Sequence, residues 1–194
     1  NVGAHTIAAT LSSQRAIVLG RYRRELEKLA DLLSQTEGRV GVAEDMIARA
    51  DDYAQRFPDA AEAIKARHAD MPYRRFLTLV AARVEATAGD EEAGYASPDD
   101  LLADLRLVES SLREHRGDHA GGFAVRRLLR RVQAFGFHLA TLDLRQESSQ
   151  HDAALAAVLD DQSFPDRDWQ DRARRLRDLL GGTAQAPNPA ADDA

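Results

Sequence analysis

Residues 130–151 read RRVQAFGFHLATLDLRQESSQH and interrupt the helical pattern of the rest of the chain. The segment begins as an amphipathic helix, turns at Phe135-Gly136, and then alternates apolar with polar residues. Alternation with a period of two indicates a β-strand, because successive side chains of a strand point to opposite faces. The two expected faces are Ala140, Leu142 and Leu144 against Thr141, Asp143 and Arg145. We therefore predict one strand at about 137–145.

Elsewhere, apolar residues recur at the spacing of an α-helix. Ser97 is expected to cap one of these helices, with Pro98 at its first position, and Ser149 with Asp152 to form a capping box for another. The predicted helices cover about 5–33, 43–56, 58–68, 72–88, 98–114, 122–134, 149–160 and 166–180. The predicted fold class is thus mainly α with one β-strand.

A lone strand needs hydrogen-bonding neighbours along its edges. The other candidate strand, at 39–43, is short and interrupted by glycine. A strand followed at once by a helix is one βα unit of a parallel sheet or barrel. Residues 1–180 are treated as a single helical segment, and 181–194, rich in alanine and proline, as a disordered tail.

The composition excludes several kinds of protein. The 194 residues include no cysteine, which rules out disulfides, thiolate metal sites and cysteine nucleophiles. A net charge of −6 argues against general binding of nucleic acid. No apolar run approaches the roughly 20 residues of a membrane helix. We expect a cytoplasmic protein that binds neither nucleic acid nor membrane.

Arg145 is the main candidate for a functional residue. It lies at the carboxyl end of the predicted strand, where barrel enzymes place active-site side chains. Its planar guanidinium suits a carboxylate or a phosphate, and Asp143, two residues earlier on the same face, could orient it. Spacing alone, however, favours an internal Asp–Arg ion pair that finishes the strand.

The same stretch resembles a segment of the phosphoenolpyruvate carboxylase family, whose pattern is roughly L-R-R-V-x-x-F-G-x-x-L-x-x-L-D-I-R-Q-E-S-x-x-H. The chain matches this pattern from Leu129 to His151, with Leu144 in place of the usual isoleucine. Residues 1–29 resemble the family's long helix, and residues 71–87, MPYRRFLTLVAARVEAT, resemble its E-P-Y-R segment. The resemblance covers about residues 1–160.

This resemblance implies an enzyme that adds bicarbonate to phosphoenolpyruvate with Mg²⁺ or Mn²⁺, giving oxaloacetate and phosphate. It also implies a (β/α)₈ barrel surrounded by extra helices, usually as a homotetramer. The strand at 137–145 would then be one strand of that barrel, and its partners would lie elsewhere in the parent enzyme.

The resemblance also assigns roles to residues. Arg145 would bind substrate and serve as the catalytic residue of this segment, with Asp143 orienting it and Gln146 and Glu147 as neighbours in the substrate site. The family's T-A-H-P-T histidine and G-G-D-R-D-G arginine would lie upstream, and its metal-binding acids and glycine-rich loop downstream. We therefore expect that no residue of this chain binds the metal, and that the isolated chain is inactive.

Three alternatives remain open. The chain could be a free-standing helical module that is derived from the same family and binds a partner without catalysis. The arginines of 126–131 could face solvent, pair with acids of the parent enzyme, or contact phosphates. His115 and His119, four residues apart, could either hold a metal or lie in a solvated turn.

Overall fold

The computed structural model describes residues 3–35, 41–141 and 147–181. Within these ranges the chain is mainly helical, as predicted, and no helix there is long and apolar enough to cross a membrane. The α-helices are α1 (Ala4–Leu32), α2 (Glu44–Arg56), α3 (Pro58–Glu62), α4 (Pro72–Ala88), α5 (Pro98–Glu114), α6 (Phe123–Phe135), α7 (Ser148–Val158) and α8 (Trp169–Leu180).

Shorter turns connect some of these helices. A 3₁₀ turn at Ala66–His68 follows α3, so the helix predicted over 58–68 is shorter than expected. One π-helical turn, Asp118–Gly122, leads into α6, and a second 3₁₀ turn, Phe164–Asp166, precedes α8. The chain divides into two compact units, Asn1–Thr141 and Leu142–Ala194.

The core of the first unit is built around α4, which packs against α1, α2, α3 and α5. A helix that is apolar on most of its surface must be buried on most of its surface, and α4 fits this rule. α1 contributes an apolar stripe to the same core. The residues of the two helices that form this hydrophobic core are Val18, Leu19, Tyr22, Leu26, Leu29 and Ala30 of α1 and Tyr73, Phe76, Leu77, Leu79, Val80, Ala81 and Val84 of α4.

The second unit has a small core of its own. Ala156 and Leu159 at the end of α7 are buried against Phe164 of the following 3₁₀ turn. Leu176 and Leu179 on one side of α8 pack against them and are partly buried. The aromatic ring of Phe164, 1% exposed, therefore holds this unit together.

Two of the helix ends have side-chain caps. At α5 the predicted Ser97 cap is confirmed: Ser97 and Asp100 form a capping box, in which the Ser97 amide donates to Asp100 Oδ2 at 3.0 Å. At α8 the Asp168 carboxylate accepts hydrogen bonds from the amides of Gln170 and Asp171 at 2.8 and 3.0 Å. These caps satisfy amides that the first helical turn leaves without a partner.

The capping box predicted for Ser149 and Asp152 is wrong. α7 begins one residue earlier, at Ser148, with Glu147 at the cap position and no side-chain hydrogen bond there. The Asp152 carboxylate instead accepts from Arg172 Nη1 of α8 at 3.0 Å. Asp152 therefore forms an ion pair between the two helices instead of the cap that the local sequence pattern predicted.

The part of the predicted strand that the structure describes is not a strand. Residues 137–141 follow α6 as a turn and a series of bends, and 142–145 lie outside the described residues. Extended backbone persists as a strand only where a neighbouring strand takes up its amides and carbonyls. Among residues 3–35, 41–141 and 147–181 no such strand is present. The (β/α)₈ context of 137–145 stays a prediction.

Candidate functional site

The turn that leads into the D-L-R-Q-E-S stretch depends on Gly136. α6 ends there with Gly136 at φ +53° and ψ −129°, and its amide donates to the Val132 carbonyl at 2.8 Å. Positive φ is costly for any residue with a side chain. A Cβ at this position would also lie 3.3 Å from Pro98 Cγ. Glycine therefore lets the chain leave α6 abruptly and close against α5.

Tyr22 of α1 fastens this turn from the other side. Its hydroxyl lies 2.9 Å from the Gly136 carbonyl oxygen and 3.2 Å from that of Arg131, within donating distance of both. Burial raises the pKa of Tyr22 to about 12, although the charge of Arg131 acts in the opposite direction. The hydroxyl is thus a neutral donor at physiological pH, and it joins the end of α6 to α1.

Two further contacts hold the residues after Gly136. The ring of Phe137 is 6% exposed and belongs to the main core. The Ala140 amide donates to Gln14 Oε1 of α1 at 3.2 Å. The backbone path up to Thr141 is therefore fixed by contacts with α1 and with the core of the first unit.

The residues predicted to carry the chemistry are only partly described. Asp143, Arg145 and Gln146 lie outside the described residues. Glu147 is exposed at the start of α7, and its side chain makes no cap hydrogen bond. His151 is exposed one turn into α7. The roles predicted for Asp143, Arg145, Gln146 and Glu147 stay predictions.

Arginines of α6 meet a carboxylate of this chain rather than only solvent. The side chain of Glu25 on α1 is 9% exposed and lies within ion-pair distance of three guanidinium groups. The distances are 3.1 Å to Arg21, 3.5 Å to Arg127 and 3.0 Å to Arg131. The arginine face at 126–131 is therefore neutralised in part by an internal acid, a partner that the sequence interpretation did not consider.

Two surface cavities border this ion-pair cluster. The first, about 320 Å³, lies between α1 and α6 and includes Tyr22, Arg24 and Leu139 in its wall. The second, about 270 Å³, runs along α6 and is lined by Phe123, Ala134 and four arginines. Arg131 and Phe135 line both. Each cavity thus combines apolar side chains with guanidinium groups.

A separate polar cluster is buried around Asp104 of α5, which is 1% exposed. Its carboxylate accepts hydrogen bonds from Tyr53 at 2.7 Å, Tyr95 at 2.6 Å and Arg49 at 2.9 Å. The Arg83 guanidinium donates to the Tyr53 hydroxyl and lies 4.1 Å from the centre of the Tyr95 ring. The cluster ties α2, α4 and α5 together.

The tyrosines of this cluster stay neutral. Burial, together with the nearby charge of Asp104, raises the pKa of Tyr53 to about 12. Burial and Asp104 hold the pKa of Tyr95 well above the usual range as well. Because Arg49 and both tyrosines donate to one carboxylate, the arrangement serves structure rather than proton transfer.

Sequence reasoning missed most of these contacts, although two signals were present. Asp104 falls on the apolar face of α5, where a carboxylate must find partners. Tyr22 falls in the apolar stripe of α1, where a buried hydroxyl also needs an acceptor. Nothing local in the sequence marks Gln14 or Glu25.

The described residues do not fit a Mg²⁺ or Mn²⁺ site. Among residues 3–35, 41–141 and 147–181, no group of three or more His, Cys, Asp or Glu side chains could hold a metal ion. His119 is exposed, and the buried Nε2 of His115 has no hydrogen-bond partner. In the described part of the chain the pair therefore finds no third ligand for a metal centre.

Comparison with known proteins identifies the family. A family model described as phosphoenolpyruvate carboxylase matches residues 1–184. Curated relatives of the same name occur in Xanthomonas euvesicatoria, 48% identical over 193 residues, and in Ralstonia nicotianae, 36% identical over 170 residues. These alignments cover 100% and 81% of this chain but 21% and 16% of the relatives, so the chain spans about a fifth of their length. Because the family model matches nearly the whole chain, including the stretch at 129–151, the chain belongs to the phosphoenolpyruvate carboxylase family.

Proposed function

We propose that this chain is part of an enzyme that carboxylates phosphoenolpyruvate. The overall reaction joins bicarbonate to phosphoenolpyruvate, with Mg²⁺ or Mn²⁺, and releases oxaloacetate and phosphate. The observation that carries the proposal is the family match over residues 1–184 with the D-L-R-Q-E-S stretch intact. The cytoplasmic location, the (β/α)₈ barrel and the homotetramer belong to the same proposal.

Within that enzyme, Arg145 binds the substrate anion. Phosphoenolpyruvate carries a phosphate and a carboxylate, and a guanidinium can meet either with two parallel hydrogen bonds. A fixed positive charge also stabilises negative charge that develops during the reaction. Asp143 orients the guanidinium, and Gln146 and Glu147 contribute to the substrate site beside it.

The described contacts support a positioning role for the turn before Arg145. Gly136, Tyr22 and Gln14 hold the backbone up to Thr141 against α1. A guanidinium that is displaced by about 1 Å can lose much of its effect on the rate. These residues therefore act through Arg145 and do not touch the substrate.

A chimaera tests the role of Arg145. This 194-residue chain replaces the matched segment of the Xanthomonas euvesicatoria relative, and oxaloacetate formation is followed by a coupled assay. We expect Arg145→Ala to lower kcat/KM for phosphoenolpyruvate on the order of 100-fold, the effect of removing one charge-stabilising group. Arg174→Ala, on the exposed face of α8, is the matched control and should leave kcat/KM unchanged.

The outcomes separate the possibilities. An unchanged kcat/KM in Arg145→Ala would exclude a substrate contact for this residue. The isolated 194-residue chain should form no oxaloacetate, because the family's catalytic histidine and metal-binding acids are expected outside it. A folded but inactive wild-type chimaera would favour the alternative, a free-standing helical interaction module without catalysis.

A further inference from the structure

Four of the five large apolar side chains that the described residues of the first unit leave exposed line two adjoining cavities. Of its described residues, the large hydrophobic side chains that remain exposed lie on α1, on α6 or in the turn that follows α6. They are Ile17, Leu32, Phe123, Phe135 and Leu139, from 46% to 70% exposed. Such concentration marks a surface that contacts another polypeptide. We call the surface formed by Ile17, Arg24, Phe123, Arg130, Phe135 and Leu139 the α1–α6 face.

The two cavities described above give this face its shape. Ile17, Phe135 and Leu139 line the cavity of about 320 Å³, and Phe123 and Phe135 line that of about 270 Å³. Phe135 therefore lies at their junction, where the side chains of a partner could enter on either side. Pockets lined in this way hold the apolar side chains that anchor an interface.

The charge of the face is positive and unbalanced. No acidic side chain lines either cavity. The Glu25 side chain is buried and already forms ion pairs with three arginines. Among the described residues, Arg24 and Arg130 form no ion pair, whereas Arg131 is already held by Glu25 at 3.0 Å. The face offers donors and positive charge that carboxylates would satisfy.

We propose that the α1–α6 face binds an acidic segment with apolar side chains that belongs to the same family polypeptide outside these 194 residues. This inference rests on the proposed function. About four fifths of the length of the Xanthomonas euvesicatoria relative lies outside the matched segment. A segment of the same polypeptide is present at high effective concentration, so a modest interface suffices to hold it.

A second copy of the chain fits the face less well. A two-fold interface places the same patch of both copies together. Arg24 and Arg130 of one copy would then approach arginines of the other without intervening acids, which costs free energy. An acidic partner avoids this repulsion and supplies the missing acceptors.

The test is a photo-crosslinking experiment in the full-length chimaera. Phe135→p-benzoylphenylalanine places a photoreactive ring at the junction of the cavities, and mass spectrometry of the digested, irradiated protein identifies what it contacts. We expect crosslinks to one acidic segment outside the 194 residues. Leu139→p-benzoylphenylalanine, in the turn after α6, provides a second site in case the change at 135 disturbs the helix. Ala103→p-benzoylphenylalanine, at an exposed position of α5 in the same unit, is the control and should not reach that segment.

A charge reversal tests the electrostatic part. Arg24→Glu should lower the crosslinking yield at least several-fold, whereas Arg106→Glu, an exposed arginine of α5, should not. Crosslinks that stay within the 194 residues, or none from either site, would overturn the proposal. Crosslinks between isotopically labelled and unlabelled copies would replace it with a second-copy interface. A chimaera that turns over phosphoenolpyruvate yet gives one of these results would retain the proposed function and lose only this interface.

Discussion

Removing the Asp104 carboxylate should strongly destabilise the first unit. Asp104 is 1% exposed and accepts hydrogen bonds from Tyr53, Tyr95 and Arg49 at 2.6 to 2.9 Å. In Asp104→Ala the two buried hydroxyls lose their acceptor, at a cost of about 1–3 kcal/mol each. The Arg83 guanidinium, 14% exposed, loses its nearest carboxylate, 4.0 Å away. Breaking a buried ion pair from one side costs about 3–5 kcal/mol in other proteins, and we expect about 4 kcal/mol here.

The assay is urea denaturation of the 194-residue chain, followed by circular dichroism. Asp104→Asn keeps the shape but removes the charge and one acceptor, so its cost should fall between those of the wild type and Asp104→Ala. Asp52→Ala is the matched control, because Asp52 is exposed and its ion pair with Arg56, at 3.6 Å, contributes only about 0–1 kcal/mol. The reasoning is refuted if the unfolding free energy of Asp104→Ala lies within about 1 kcal/mol of that of the wild type, with the dependence on urea concentration unchanged. The hydrogen bonds and ion pairs of Asp104 would then not contribute the stability expected of them.

Three further predictions concern the same chain. Gly136→Ala should destabilise it by about 1–2 kcal/mol because of the positive φ. Gly20 lies inside α1 with open space around it, so Gly20→Ala should stabilise the chain by about 0.5–1 kcal/mol. If urea denaturation shows that both glycine substitutions change the free energy of unfolding in the same direction, this reasoning fails. Burial raises the pKa values of Tyr22 and Tyr53 to about 12, whereas a tyrosine of the unfolded chain ionises at about pH 10. The contribution of these two residues to the free energy of unfolding is therefore complete below about pH 10. Their contribution should therefore fall as the pH rises from about 10 to 12, and a flat stability profile in that window would contradict it. Asp168→Ala should cost about 1 kcal/mol by removing the cap of α8, as measured by thermal unfolding, and an unchanged midpoint would count against that cap.

The helices were predictable because their signal is local and repeated. Apolar residues at helical spacing placed α1, α4 and α5 close to their observed bounds. The Ser97 cap was predictable for the same reason, since its partner Asp100 is three residues away. Where a feature depends on neighbours in sequence, reading the sequence suffices.

Features that depend on distant residues were not predictable in this way. The alternation over 137–141 resembles a strand, but a strand also requires a partner, and the alternation does not supply one. Asp152 had two possible uses, and the approach of Arg172 from α8 decided between them. At the site, Arg145 was singled out by its place at the end of the predicted strand and given its substrate role by the family resemblance, and it lies outside the described residues. The contacts of Tyr22 and Gln14 with the turn appeared only once α1 and α6 were packed together.

The arginines of this chain illustrate how structure separates two interpretations of one residue type. In the sequence, the four arginines of 126–131 form a single basic face that could contact phosphates or acids of a parent enzyme. In the fold, Arg127 and Arg131 approach Glu25 from the same chain, so part of that positive charge stabilises α1 against α6. Arg130 has no ion pair among the described residues, and neither does Arg24 on α1. A functional interpretation of this positive charge must therefore rest on Arg24, Arg130 and the apolar side chains between them. For this reason the crosslinking test reverses the charge of Arg24 rather than that of Arg131.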